Sequence, residues 1–127
     1  MKKLVLVLLI ATTFLSCKKD DSIPLPAPLP NFDMEGKWLW SYSENRSDAN
    51  TMYEFTDGTI FTSYATNNSD FSALDSSDRI PGSETYTFDG DTLIWDETSL
   101  GVTFECDGGK SLFSNGNKLW RLSSDCE

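Results

Sequence analysis

A chain of 127 residues has room for one domain, and with 20 acidic against 10 basic residues it carries a net charge of −10. Phosphate recognition needs a cationic face, so nucleic acid is excluded as an expected partner. The sequence has no histidine, which removes the usual near-neutral base, His-containing metal sites and any Ser-His-Asp arrangement.

The N-terminus reads Lys2, Lys3, an apolar run from Leu4 to Leu15, small Ser16 and then Cys17. That order is expected of an export signal, and the run is too short for a spanning helix, which needs about 20 apolar residues. Phe14-Leu15-Ser16-Cys17 resembles a lipobox, with Leu15 where a small residue is usual. The resemblance implies a signal peptide over 1–16, cleavage before Cys17 and lipidation of that cysteine, so that the lipid bilayer is the first expected partner. With Lys2 and Lys3 removed, 8 basic residues remain against 20 acidic, a net −12. An anionic bilayer surface repels such a chain, so attachment rests on the lipid.

Lys18-Lys19-Asp20-Asp21 follows directly. It resembles the lysine-plus-acidic export signal of surface lipoproteins in the Bacteroidetes group, which implies an outer-membrane lipoprotein facing the outside of the cell. The alternative, retention, leaves the domain in the periplasm. Both compartments are oxidising, and Cys106 and Cys126 are therefore expected to pair. Four of the five prolines, Pro24, Pro26, Pro28 and Pro30, fall before Asn31. They exclude a helix and favour polyproline II, in which the thirteen residues 18–30 span roughly 40 Å at about 3.1 Å each. Residues 17–30 thus read as a lipidated cysteine and spacer, and 31–127 as the folded domain; a PxxP-type recognition ligand is the weaker use of the segment.

Beyond Asn31, short β-rich runs alternate with turn dipeptides and no window sustains a helical period. Eight strands are predicted near 37–43, 51–56, 59–65, 84–88, 91–95, 100–106, 110–113 and 118–123. Asp57-Gly58, Asp89-Gly90, Asp107-Gly108 and Asn115-Gly116 label four connections, because these residues tolerate the positive φ of tight hairpin turns. Consecutive hairpins imply antiparallel neighbours, and closure removes both sheet edges, so the expected fold is all-β: a small eight-stranded antiparallel up-and-down barrel. Trp38, Trp40 and Tyr42 share one face, as do Tyr53 and Phe55, Tyr86 and Phe88, Leu93 and Trp95, and Val102 and Phe104. These are the predicted interior. The long polar connection from Thr66 to Ser83, carrying Phe71, Leu74 and Ile80, has the length of a lid or binding loop.

Cys106 at the end of the sixth strand and Cys126 just past the eighth fall at one end of the barrel, on strands about 9.6 Å apart, so the tail after Ser123 must curl back to join them. The disulfide closes a loop of about 20 residues and is expected to contribute about 3 kcal/mol.

Glu35-Gly36-Lys37-Trp38 opens the first strand and Trp120-Arg121-Leu122 lies in the last. The pattern resembles that of lipocalins, in which a Gly-x-Trp opens the barrel and an arginine from the last strand packs over the tryptophan at the closed end. Gly36, Trp38 and Arg121 match those positions, and the resemblance implies a structural cation–π plug. Tyr53-Glu54-Phe55-Thr56-Asp57-Gly58-Thr59 and Tyr86-Thr87-Phe88-Asp89-Gly90-Asp91-Thr92-Leu93 also look like the lipocalin-like domains of Bacteroidetes lipoproteins. The likeness covers most of 31–123, and the chain lacks room for the C-terminal helix of larger lipocalins.

Chemistry is not expected. Asp89, Asp91, Asp96 and Glu97 could form an acid and base pair or a calcium site, but hairpin turns explain them better. Asp21-Ser22-Ile23 and Asp91-Thr92-Leu93 resemble O-glycosylation sites, in triplets short enough to recur by chance. No cofactor and no metal ligand set is expected. Two functions follow. In the first, a barrel mouth lined by Trp40, Tyr42, Tyr53, Phe55, Tyr86 and Trp95 takes up a small apolar or amphipathic ligand. In the second, a barrel filled by its own side chains serves as a structural or protein-interaction module of the cell envelope; eight strands permit either.

Overall fold

The computed structural model describes residues 32–65 and 68–127. The signal, Cys17, the Lys18–Asp21 charges and the proline spacer lie outside the described residues, as does the start of the long connection, Thr66 and Asn67. Eight strands are described: β1 (Gly36–Trp40), β2 (Thr51–Thr56), β3 (Thr59–Tyr64), β4 (Glu84–Phe88), β5 (Thr92–Trp95), β6 (Thr98–Glu105), β7 (Lys110–Phe113) and β8 (Lys118–Arg121). Each pairs antiparallel with its neighbour in sequence, and β8 pairs with β1 through Trp38 opposite Arg121 and Leu39 opposite Trp120. The result is the closed eight-stranded up-and-down barrel expected from the hairpin pattern.

The turns are specified by their own residues. Asp57 and Gly58 take φ of 48° and 76° between Thr56 and Thr59, the doubly positive geometry of a two-residue hairpin turn. At Asp89-Gly90 the aspartate carboxylate instead accepts from the backbone N–H groups of Asp91 and Thr92, at 3.0 and 2.8 Å. The β5–β6 turn uses Asp96 at φ 54° followed by Glu97, with no glycine.

The period-two alternation carries the apolar residues inward. Trp38, Phe55, Ile60, Tyr86, Leu93, Val102, Phe113 and Leu119 form the buried interior, with Trp40, Tyr53, Phe88, Trp95, Leu100 and Phe104 packed against it. Rings step through this core at centroid distances of 5–6 Å: Phe88 on Phe104, Phe55 on Tyr86, Phe55 on Trp95, each nearly perpendicular. Tyr42 does not join them. The expected strand to residue 43 stops at Trp40, because Ser41 Oγ accepts from the Ser43 N–H at 3.2 Å and Glu44 turns to φ 63°. The chain leaves the sheet there, and Tyr42 is 88% exposed.

A second apolar cluster lies on the outer surface of β8, β1 and β2. Leu39, Met52 and Trp120 alternate with inward residues and so face out of the barrel, where Ala49, Phe71, Leu74 and Leu122 cover them. The described part of the connection, 68–83, is therefore a strap across the barrel wall, where its length suggests a lid or binding loop. Its return leg runs beside β3: Arg79 bridges Ser63, the Ile80 N–H donates to the Thr62 carbonyl at 2.9 Å, and the Arg79 guanidinium pairs with Glu54 at 2.8 Å over the Phe61 ring.

Candidate functional site

The two ends of the barrel differ. At the end holding the β1 start and the β8 end, the N-terminal segment folds underneath as a plug. Met34 is buried, its carbonyl accepts from Trp38 Nε1 at 2.9 Å, and Phe32 stacks on Phe104 at 5.5 Å. Arg121 lies 4.3 Å from the Trp38 ring centroid and donates to the carbonyls of Glu35 (2.6 Å), Asp33 (2.9 Å) and Gly108 (3.2 Å). A side chain at Gly36, which sits at φ 112°, would come within 3.1 Å of Arg121 Nη1. Gly36, Trp38 and Arg121 therefore meet at one place, and that place is closed.

Cys106 and Cys126 are bonded at this same end, with their Cα atoms 6.1 Å apart. Cys106 lies just outside β6, in a short 3-10 turn at φ 57°. The tail curls back as the disulfide requires: Arg46 donates to the Cys126 and Leu122 carbonyls at 2.8 and 3.3 Å, and Lys110 to the Glu127 carbonyl at 3.2 Å.

At the opposite end the barrel opens into a cavity of about 290 Å³ lined by Trp40, Tyr53, Trp95, Leu100, Phe113 and Leu119, with Thr98, Asn115 and Asn117 at its rim. That volume is at the small end of ligand sites. Tyr53 and Trp95 meet edge to face, 4.9 Å between centroids and 86° between planes, and so form two perpendicular walls. Phe55, fully buried, packs on Trp95 from below at 5.5 Å and closes the floor. No charged side chain lines the cavity. Beside the cavity, the carboxylate of Glu84, the exposed first residue of β4, accepts from Trp95 Nε1 at 2.8 Å. Burial, reinforced by Tyr64 and Glu84, pushes the Tyr53 phenol above its ordinary pKa, so it remains neutral.

Of the six residues expected to line a site, Trp40, Tyr53 and Trp95 converge on the mouth. Phe55 is the floor. Tyr86 belongs to the closed half: its hydroxyl donates to the Glu35 carboxylate and its ring packs on Phe55. Tyr42 is outside altogether. Leu100, Phe113, Leu119 and the two rim asparagines were not anticipated. Phe113 and Leu119 could have been found from the alternation of β7 and β8, whereas Asn115 and Asn117 are legible only as turn residues.

Beside the mouth, β3 and β4 splay after two paired positions, Thr59 with Thr85 and Ile60 with Glu84. A cleft of about 410 Å³ opens there, bounded by Tyr53, Tyr64, Ile80 and Glu84 among others, and Tyr53 is the wall it shares with the mouth cavity. Asp89 is held by its own turn, and backbone N–H donors from Asp91 and Thr92 lower its pKa. Among the described residues no group of three or more acidic or cysteine side chains could hold a metal ion. No family model matches the chain, and no curated protein or solved structure is significantly similar to it.

Proposed function

We propose that this chain is a lipid-anchored envelope protein whose barrel mouth binds one small, largely apolar or amphipathic ligand, without catalysing its conversion. The observation that carries the binding reading is the unfilled upper half of the barrel. Buried side chains pack the lower half, yet the mouth leaves about 290 Å³ lined by Trp40, Tyr53 and Trp95 among others. An aromatic-walled cavity with a few polar rim groups is the usual form of such sites. The anchoring reading rests on the order Lys2-Lys3, apolar run, Cys17, and the outer-membrane, surface-facing placement rests on Lys18-Lys19-Asp20-Asp21.

Two of the four tryptophans line the cavity, so intrinsic fluorescence of the chain from residue 18 onward reports on binding. Titration with small apolar and amphipathic compounds should give saturable quenching that Trp40→Ala abolishes. A folded domain with no response to any of them would shift the reading to an interaction module, and the exposed Tyr42 and Tyr64 would then be the surface to examine. For the anchor, Cys17→Ser should abolish incorporation of a labelled acyl chain and release the protein from the membrane fraction. Cleavage of the barrel by protease added to intact cells tests the surface-facing placement.

A further inference from the structure

We propose that the mouth selects ligands bearing a cationic nitrogen, an amine or quaternary ammonium on an apolar body, and rejects carboxylates. The proposal rests on the binding reading above and names its ligand class. Three observations converge on it.

First, the cavity offers an anion no positive charge, only the neutral donors of Thr98, Asn115 and Asn117 at its rim. The described residues hold six Lys and Arg side chains, and each is already engaged elsewhere. Lys37 donates to the Leu74 carbonyl, Arg46 to the C-terminal tail, Arg79 pairs with Glu54, Lys110 with Glu105, Lys118 with Glu44, and Arg121 caps Trp38 at the closed end. A carboxylate buried in the mouth would lose its hydration with no counter-charge in return.

Second, the walls suit a cation. Tyr53 and Trp95 stand at right angles, and Trp40 supplies a third ring of the same cavity. Aromatic rings lining one space can attract an organic ammonium through their quadrupoles, most strongly for tryptophan. Third, Glu84 is placed to reinforce them. It is the exposed first residue of β4, opposite Ile60, and accepts from Trp95 Nε1. Its negative charge enriches that indole and faces the splayed cleft that shares Tyr53 with the mouth. The net charge of −10 adds a field that draws cations toward the protein and repels anions.

The test compares three probes that share one tail, n-octyltrimethylammonium, n-octanol and n-octanoate, titrated separately against the tryptophan fluorescence of the chain from residue 18 onward. The ammonium is expected to bind about tenfold more tightly than the alcohol, and octanoate more weakly than either. In Glu84→Gln, where the amide oxygen can still accept from Trp95, the ratio between ammonium and alcohol should fall several-fold, as it should in wild-type protein at high salt. Octanol or octanoate binding as tightly as the ammonium would overturn the charge preference while leaving the cavity a binding site. Silence from all three on a folded domain would overturn both readings.

Discussion

At the scale of single residues, the closed end depends on Arg121 more than on any other polar side chain. Its guanidinium serves three backbone carbonyls and the face of Trp38 together. A lysine cannot reproduce that planar fork. Arg121→Met, which keeps an apolar stem, should cost about 2–3 kcal/mol, because a charged donor is lost and three carbonyls must find water. Arg121→Lys should recover only part of it; urea midpoints of the two variants decide, and equal stability of Lys and wild type would contradict the forked role. Tyr86 makes a second prediction. Burial, followed by the hydrogen bond and charge of Glu35, pushes its phenol well above the ordinary value. In the unfolded chain the phenol ionises near pH 10. The neutral form is thus favoured by folding, so its contribution is fully present below about pH 10 and is lost as pH rises from there through the folded value. Tyr53 adds to the same slope. Urea midpoints at about pH 8 and about pH 11 should show wild type losing more stability than Tyr86→Phe.

At the scale of elements, the strap separates what periodicity reveals from what it conceals. Its Phe71 is fully buried on Leu39, Met52 and Trp120. Removing a ring from such a site costs about 3–5 kcal/mol. Phe71→Ala should therefore destabilise the domain and red-shift the emission of Trp120. It should leave ligand titration at the mouth unchanged under native conditions, since the strap crosses the barrel wall; a lid would weaken binding instead. The eight strands were legible because their turns carry local chemistry and their inward residues alternate. The outer cluster was legible only as a hint. Trp38-Leu39-Trp40 and Leu119-Trp120 are consecutive apolar residues, and a strand with both faces apolar needs cover on both. The cover comes from a polar connection whose Phe71 and Leu74 have no period, so nothing in their spacing says which face they meet. Tyr42 fails for the complementary reason. It continues the alternation of β1 by two residues, but the Ser41–Ser43 hydrogen bond has already turned the chain out of the sheet.

At the scale of the molecule, the barrel is closed by a short seam and clamped beside it. The β8–β1 seam has two register pairs, extended by the Leu122 N–H to the Lys37 carbonyl at 2.9 Å, whereas β1 and β2 share five. The Cys106–Cys126 bond ties the tail that follows β8 to the end of β6, across a separation of 20 residues. Closing a loop of that length should stabilise the fold by about 3 kcal/mol. A small domain has only about 5–15 kcal/mol in total. Cys106→Ala with Cys126→Ala should thus remain folded but unfold at markedly lower urea, and reduction of the wild type should reproduce that shift. The mouth lies at the far end of the barrel from this clamp, with the packed layer of Phe55, Leu93 and Val102 between them. Ligand titration of the double variant in the absence of urea should therefore match wild type. A loss of binding in a domain that is still folded would mean that seam and mouth move together, and that the cavity depends on closure of the whole barrel rather than on its upper strands alone.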